Sequence, residues 1–257
     1  MLNKLIFGTA SLTSLSDYKK IIYLLEFAYD IGIKSFDTAP LYGRGYSEII
    51  LGDFLKNKND INISTKFGLG DELNPKKILV KPLLKLNKIK NLIKRSNVLD
   101  NNINYCKIRR ISKSSIKKNL NKSLKNLGKD NIENYLLHEA LPSFLTDDAK
   151  DYLLTLKKNK IVKKLGIATS YNELKNISKN ELDFFDIIQY DANDKKILNM
   201  KSKFPNHSHI IHSVIKQIEN KSKIPDIIYH TIKSNNVKLI FSTRSINNLV
   251  SNISKFE

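Results

Sequence analysis

The feature that most constrains this chain is an alternation. Short apolar, β-branched stretches recur along it, and each is followed by a segment whose apolar residues fall three and four apart. Such a succession is the mark of βαβ units around a parallel sheet. Eight strands can be read in this way: Lys4 to Thr9, Ile33 to Asp37, Ile61 to Lys66, Asn134 to His138, Val162 to Ala168, Phe185 to Tyr190, His209 to Val214, and Val237 to Ser242. Eight parallel strands suit a closed cylinder, and 257 residues is an ordinary length for one with its helices. The expected fold is a single (β/α)8 TIM barrel of the α/β class, with residues 1–257 forming one domain.

The intervening segments carry helix punctuation. From Asp17 to Ile31, the residues Ile21, Leu25 and Ala28, with Ile22 and Tyr29 beside them, share one face, and Gly32 supplies a stop. Ser112 to Leu127 repeats the scheme with Ile116, Leu120, Leu124 and Leu127, closed by Gly128. Ser47-Glu48 is expected to open the helix after the second strand, with serine as cap and glutamate as early acidic residue. Residues 68–111, rich in lysine, leucine and asparagine, break the repeat and are expected to form a long loop on the substrate side.

A formal charge of +19 raises the question of a polyanionic partner. The lysines are spread along the whole chain with a matching supply of asparagine, which favours a solvated surface; Lys76 to Arg110 is the densest basic stretch. No RNP-like, zinc or helix-turn-helix signature accompanies the charge, so no nucleic-acid partner is expected. The single cysteine, Cys106, excludes an internal disulfide framework and any multi-cysteine metal site. No apolar run approaches the length of a membrane span, and Gly8-Thr9 breaks the apolar start too early for a signal peptide. A cytoplasmic location without membrane association is expected.

Polar residues then stand out by position. Asp37 ends the second strand, Lys66 the third, His138 the fourth, and Gln189 and Tyr190 the sixth, with Ser213 near the end of the seventh and Ser242 and Thr243 at the eighth. Taken singly, an aspartate after a strand is usually a cap, a lysine solvated, a tyrosine packing and a histidine structural. Together, polar side chains at successive strand C-termini converge on one mouth, where barrel enzymes keep their active sites.

Three segments carry a family resemblance. Phe36-Asp37-Thr38-Ala39-Pro40-Leu41-Tyr42-Gly43, followed by Ser47-Glu48 and Leu51-Gly52, resembles the aldo-keto reductase signature around its catalytic aspartate and tyrosine. Ser64-Thr65-Lys66-Phe67-Gly68 resembles the segment carrying the family's lysine, and Tyr135-Leu136-Leu137-His138-Glu139 the one carrying its histidine. All three occur in order, and the resemblance runs from Gly8 to about Asn252. It implies an oxidoreductase that moves a hydride from a nicotinamide to a small-molecule aldehyde or ketone, with a sugar-like carbonyl as the narrower expectation. Tyr42 would donate the proton; Lys66 would stabilise its phenolate and bring the proton within range. Asp37 would hold Lys66 charged, and His138 would hydrogen-bond the carbonyl oxygen. Such a site needs no metal.

The resemblance also implies a cofactor half. Ser242, Thr243 and Arg244, followed by Asn248 and Asn252, align with the segment that holds the adenosine and its 2′-phosphate, and Arg244 is the local cation for that phosphate. The family's usual lysine and arginine are Ser242 and Asn248 here, so NADP(H) is preferred and NAD(H) stays open. Gln189 matches the residue that binds the carboxamide, His212 would lie under the nicotinamide ring and Ser213 near the pyrophosphate, and Gly8 and Thr9 join the cofactor set. Thr169 stands in for a serine of the segment that is Gly166-Ile167-Ala168-Thr169 here, and residues 214–219 replace a glycine-containing loop, leaving Lys216 as a local cation. The family's N-terminal hairpin is expected to be absent, since the first strand starts almost at Met1. The competing reading is a non-catalytic barrel that binds nicotinamide nucleotide as a sensor or regulatory subunit. The oligomeric state is not readable.

Overall fold

The computed structural model describes residues 1–69, 76, 79–82, 84, 110–217, 220–235 and 237–256. Most of the expected long loop, 68–111, lies outside them. Eight parallel strands close in sequence order: β1 (Leu5–Gly8), β2 (Ser35–Asp37), β3 (Asn62–Phe67), β4 (Ile132–His138), β5 (Val162–Ala168), β6 (Ile187–Asp191), β7 (Ser208–His212) and β8 (Lys238–Phe241). β8 returns to β1 with Ile6 beside Ile240, so no sheet edge is left open. A single 3-10 turn, Leu2–Lys4, precedes β1.

The helices that flank the barrel form where the apolar period requires. α1 (Tyr18–Asp30) buries Ile21, Leu24, Leu25 and Ala28, and the Asp17 carboxylate accepts from the amides of Lys19 and Lys20. α2 (Tyr46–Phe54) follows β2, and α3 (Lys113–Leu127) is capped by Ser112 and ends at Gly128. α4 (Asp147–Lys158), α5 (Asp194–Lys203), α6 (Ile224–Asn235) and α7 (Ile246–Ile253) follow in turn.

One expectation fails at α2. Its cap position is Gly45, and Ser47 lies inside the first turn, fully buried, with its hydroxyl on the Thr9 carbonyl at 3.3 Å. Glu48 is in the first turn as expected but is also fully buried, accepting from Thr65 at 2.7 Å and Asn126 at 3.3 Å. Ser47 and Glu48 therefore tie α2 to the barrel and to α3. A sequence pattern cannot separate a surface cap from an inward-facing pair of the same types.

Alternation along the strands divides the core. The larger cluster fills the space between sheet and helices, with Phe7, Phe36, Ile63, Tyr135 and Leu137 among its members. A second, smaller cluster of Ile6, Leu136, Ala168, Ile187, Ile210 and Ile240 lies within the barrel. Residues two apart on a strand share a face. Gly8, His138, Gln189, His212 and Ser242 therefore stand one layer above Ile6, Leu136, Ile187, Ile210 and Ile240. The barrel interior is an aliphatic floor beneath a polar ring at the strand C-termini.

Candidate active site

Above this floor lies a cavity of about 350 Å³, lined among others by Asp37, Tyr42, Lys66, His138, Gln189 and His212. Asp37 closes β2, Lys66 is next to last in β3 and His138 closes β4. Tyr42 comes from the turn Tyr42–Gly45, where Gly43, Arg44 and Gly45 all have positive φ (57°, 58° and 86°). A Cβ on Gly43 would sit 2.3 Å from the Thr13 methyl and 2.9 Å from the Ser47 hydroxyl, so only glycine lets this turn pack down and aim Tyr42 inward.

The four side chains meet. Lys66 is 1% exposed, and its ammonium donates to both Asp37 oxygens at 2.7 and 2.8 Å and to the Thr38 carbonyl at 2.9 Å. The same nitrogen lies over the Tyr42 ring, 4.8 Å from its centre. The His138 ring meets the Tyr42 ring edge-on, 5.9 Å between centres.

Burial and charge set the protonation states. Burial pulls the Lys66 ammonium down, but Asp37 and Tyr42 outweigh it and hold its pKa above the ordinary value, so it stays charged. Burial drives His138 down to about 3, helped by the positive field of Lys66 and by His212. The imidazole is therefore neutral, and its Nδ1 is buried without a hydrogen-bond partner. Tyr42 differs from the sequence-based expectation. Lys66 does pull the phenol down, but burial, aided by Asp37 and Glu139, more than offsets this, and the hydroxyl is held protonated above its ordinary pKa.

The cofactor candidates divide. Gly8, Gln189, His212, Ser213 and Ser242 line the cavity. A Cβ on Gly8 would collide with the Ser242 hydroxyl at 2.5 Å and Ile240 at 2.8 Å, so the β1–β8 seam is as narrow as glycine allows. The Gln189 side chain favours the ionised form of the Asp37 carboxyl, while its Oε1 is buried without a partner. His212 Nδ1 and the Ser213 hydroxyl are 2.9 Å apart, and Ser213 has a φ of 63°.

Thr9, Thr169, Thr243, Arg244, Asn248 and Asn252 are not among the lining residues. Thr9 and Thr169 join strand tips through their amides, to Asp37 and Gln189 carbonyls at 2.9 and 3.1 Å, and the Thr243 hydroxyl closes a local turn on the Ser245 carbonyl. Arg244 is exposed and reaches Ser14 at 3.4 Å. Asn248 is exposed in the first turn of α7 and Asn252 half-buried in its last. The Lys216 side chain lies outside the described residues.

Sequence reasoning assigned no role to Glu139, which also lines the cavity. Strand alternation places it outward; its φ of 50° breaks that alternation, and nothing in the pattern announces the break. Among the described residues, no group of three or more His, Cys, Asp or Glu could hold a metal, and no helix is long and apolar enough to cross a membrane.

A closed (β/α)8 barrel with an Asp–Lys–Tyr–His constellation at the C-terminal mouth defines a class of protein with an acid–base pocket. The chain belongs to the aldo/keto reductase family, whose model matches residues 4–203. It is similar to a pyridoxal 4-dehydrogenase of Microbacterium luteolum, 52% identical over 46 residues, which is 18% of this chain and only 14% of that relative's length. An aldo-keto reductase from Bacillus halodurans, solved in its holo form, superposes with a TM-score of 0.70 at 18% identity, over 99% of this chain and 86% of that one. A Gox0644 mutant solved in complex with NADPH superposes with a TM-score of 0.66 at 14% identity, over 98% and 83% of the two chains.

Proposed function

We propose that this protein is an NAD(P)H-dependent oxidoreductase, acting as one catalytic domain, that reduces an aldehyde or ketone to an alcohol, with a sugar-like carbonyl as the narrower candidate. The observation that carries the reading is the charged Lys66 ammonium held between the Asp37 carboxylate and the phenol of Tyr42, beside a neutral His138. Such a grouping argues against a nucleotide sensor, which needs no phenol beside a buried lysine to bind its ligand.

The reduced nicotinamide, when bound, supplies the hydride. Tyr42 gives its proton to the carbonyl oxygen as negative charge gathers there, and Lys66 stabilises the phenolate left behind. Asp37 keeps Lys66 oriented and charged. His138, neutral throughout the physiological range, donates a hydrogen bond to the same oxygen and fixes the carbonyl. A Tyr42 pKa above the ordinary value keeps the hydroxyl protonated near neutrality, as a proton donor must be.

The residues present fit a nicotinamide nucleotide. The partnerless Gln189 Oε1 would accept from the carboxamide. His212 would lie against the ring, with Ser213 near the pyrophosphate and Ser242 toward the adenosine and its 2′-phosphate, while the buried Thr9 and Thr169 would act on the cofactor only through the strand tips they join. Thr243, Arg244, Asn248 and Asn252 would serve the adenosine end, where exposed Arg244 favours NADPH over NADH.

Purified protein should alter NADPH fluorescence and oxidise NADPH with members of an aldehyde and ketone panel. Cofactor binding with no turnover across a broad panel would favour the sensor and refute the reductase.

A further inference from the structure

Glu139 follows His138 directly and departs from the strand that holds it. Its amide still pairs with the Ala168 carbonyl at 2.8 Å, so the chain is anchored at the barrel rim. The left-handed φ of 50° then turns the side chain into the cavity wall, a conformation that costs a non-glycine residue free energy. Among the described residues its carboxylate receives only the Thr169 hydroxyl, at 3.3 Å, and makes no ion pair. The nearby cation Lys196 is bound to Asp191 at 2.5 Å. Glu139 is exposed at the rim of the cavity, and its partly desolvated carboxyl, with Asp191 and Glu173, sits above its ordinary pKa against the pull of Thr169 and Lys66. In a chain of net charge +19, Glu139 therefore places a carboxylate with no ion pair among the described residues on the wall of this cavity.

We infer that Glu139 is a specificity-determining residue that favours carbonyl substrates bearing an ammonium group beside the carbonyl and disfavours those bearing a carboxylate. The inference rests on the reading of this cavity as a carbonyl site. Glu139 is the residue next to His138 and lines the same cavity, so an ammonium on the α-substituent of a carbonyl held by Tyr42 and His138 would find a counter-charge there and a carboxylate would meet a like charge. Rejection of the wrong charge contributes as much to such selection as attraction of the right one.

Three ketones of similar size separate the possibilities: aminoacetone, hydroxyacetone and pyruvate. Their dissociation constants from the NADP⁺-loaded wild type and E139Q are measured by ligand-observed NMR at pH 7, and their kcat/KM values with NADPH. The wild type should prefer aminoacetone to pyruvate, and E139Q should reduce that preference about tenfold when each value is taken relative to hydroxyacetone, so that any change common to all three ketones cancels. Should E139Q not fold, the wild-type preference should still shrink as salt rises, since the interaction is one of charge. Equal preference in both proteins, a wild-type preference for pyruvate, a salt-independent preference, or binding of none of the three overturns the inference. Charge-selective binding without NADPH oxidation would instead refute the reductase reading and leave Glu139 as assigned.

Discussion

The two halves of the barrel mouth are built on opposite terms. On the β2–β4 side the charged groups are buried and paired, Lys66 with Asp37 and the Thr38 carbonyl and over the Tyr42 ring, while His138 meets Tyr42 ring against ring and keeps its Nδ1 without a partner. On the β6–β8 side Gln189 keeps a buried oxygen without a partner, and Ser242 and Arg244 are exposed. A charge taken out of water must be paired within the chain, so the first half is preorganised by the fold. The second holds groups whose partners a ligand would supply.

Lys66→Met should cost most. It leaves the Asp37 carboxylate buried without its cation, a loss of about 3–5 kcal/mol, read as a fall in denaturation midpoint along with activity. Stability that survives the change would mean the first half is not held together by this pair.

Next is pH. The unfolded His138 takes up a proton below about 6.5, whereas the folded one does so only near 3, so the unfolded state binds more protons between those values. Stability should fall by up to about 1.4 kcal/mol for each pH unit below 6.5 from this group alone, and His138→Asn should flatten that slope. An unchanged slope would mean His138 is more hydrated than its burial indicates.

On the other half, effects should fall on cofactor affinity and spare the fold. Gln189→Ala should weaken NADPH binding about tenfold, the scale of one lost hydrogen bond to a buried group, with a smaller change in melting temperature. Arg244→Ala should weaken NADPH by up to about tenfold and NADH hardly at all, its exposure in water limiting the effect. Equal losses for the two cofactors would point to NAD and blur the division between the halves.

The same division governs what the sequence revealed. All eight strands were legible because the apolar period changes wherever a strand gives way to a helix, and Asp37, Lys66 and His138 because each falls at a strand end in the inward register. Tyr42 was legible only through the residues around it, since its aim depends on three consecutive positive φ values. The inward burial of Ser47 and Glu48 was not, because serine and glutamate also suit an exposed first turn. Nor was Glu139, which owes its place to one backbone angle. The net direction of the Tyr42 shift escaped for another reason: Lys66 is visible in the sequence, but the depth of burial that outweighs it is a property of the assembled barrel.

The central claim is that Tyr42 donates the proton within a pocket that binds cofactor without it. Tyr42→Phe keeps the ring and removes only the hydroxyl. Measured with saturating carbonyl, NADPH oxidation should slow by about 10² to 10⁴, while NADPH affinity stays within about twofold of the wild type. Turnover within tenfold of the wild type in a folded Tyr42→Phe protein would contradict the assignment.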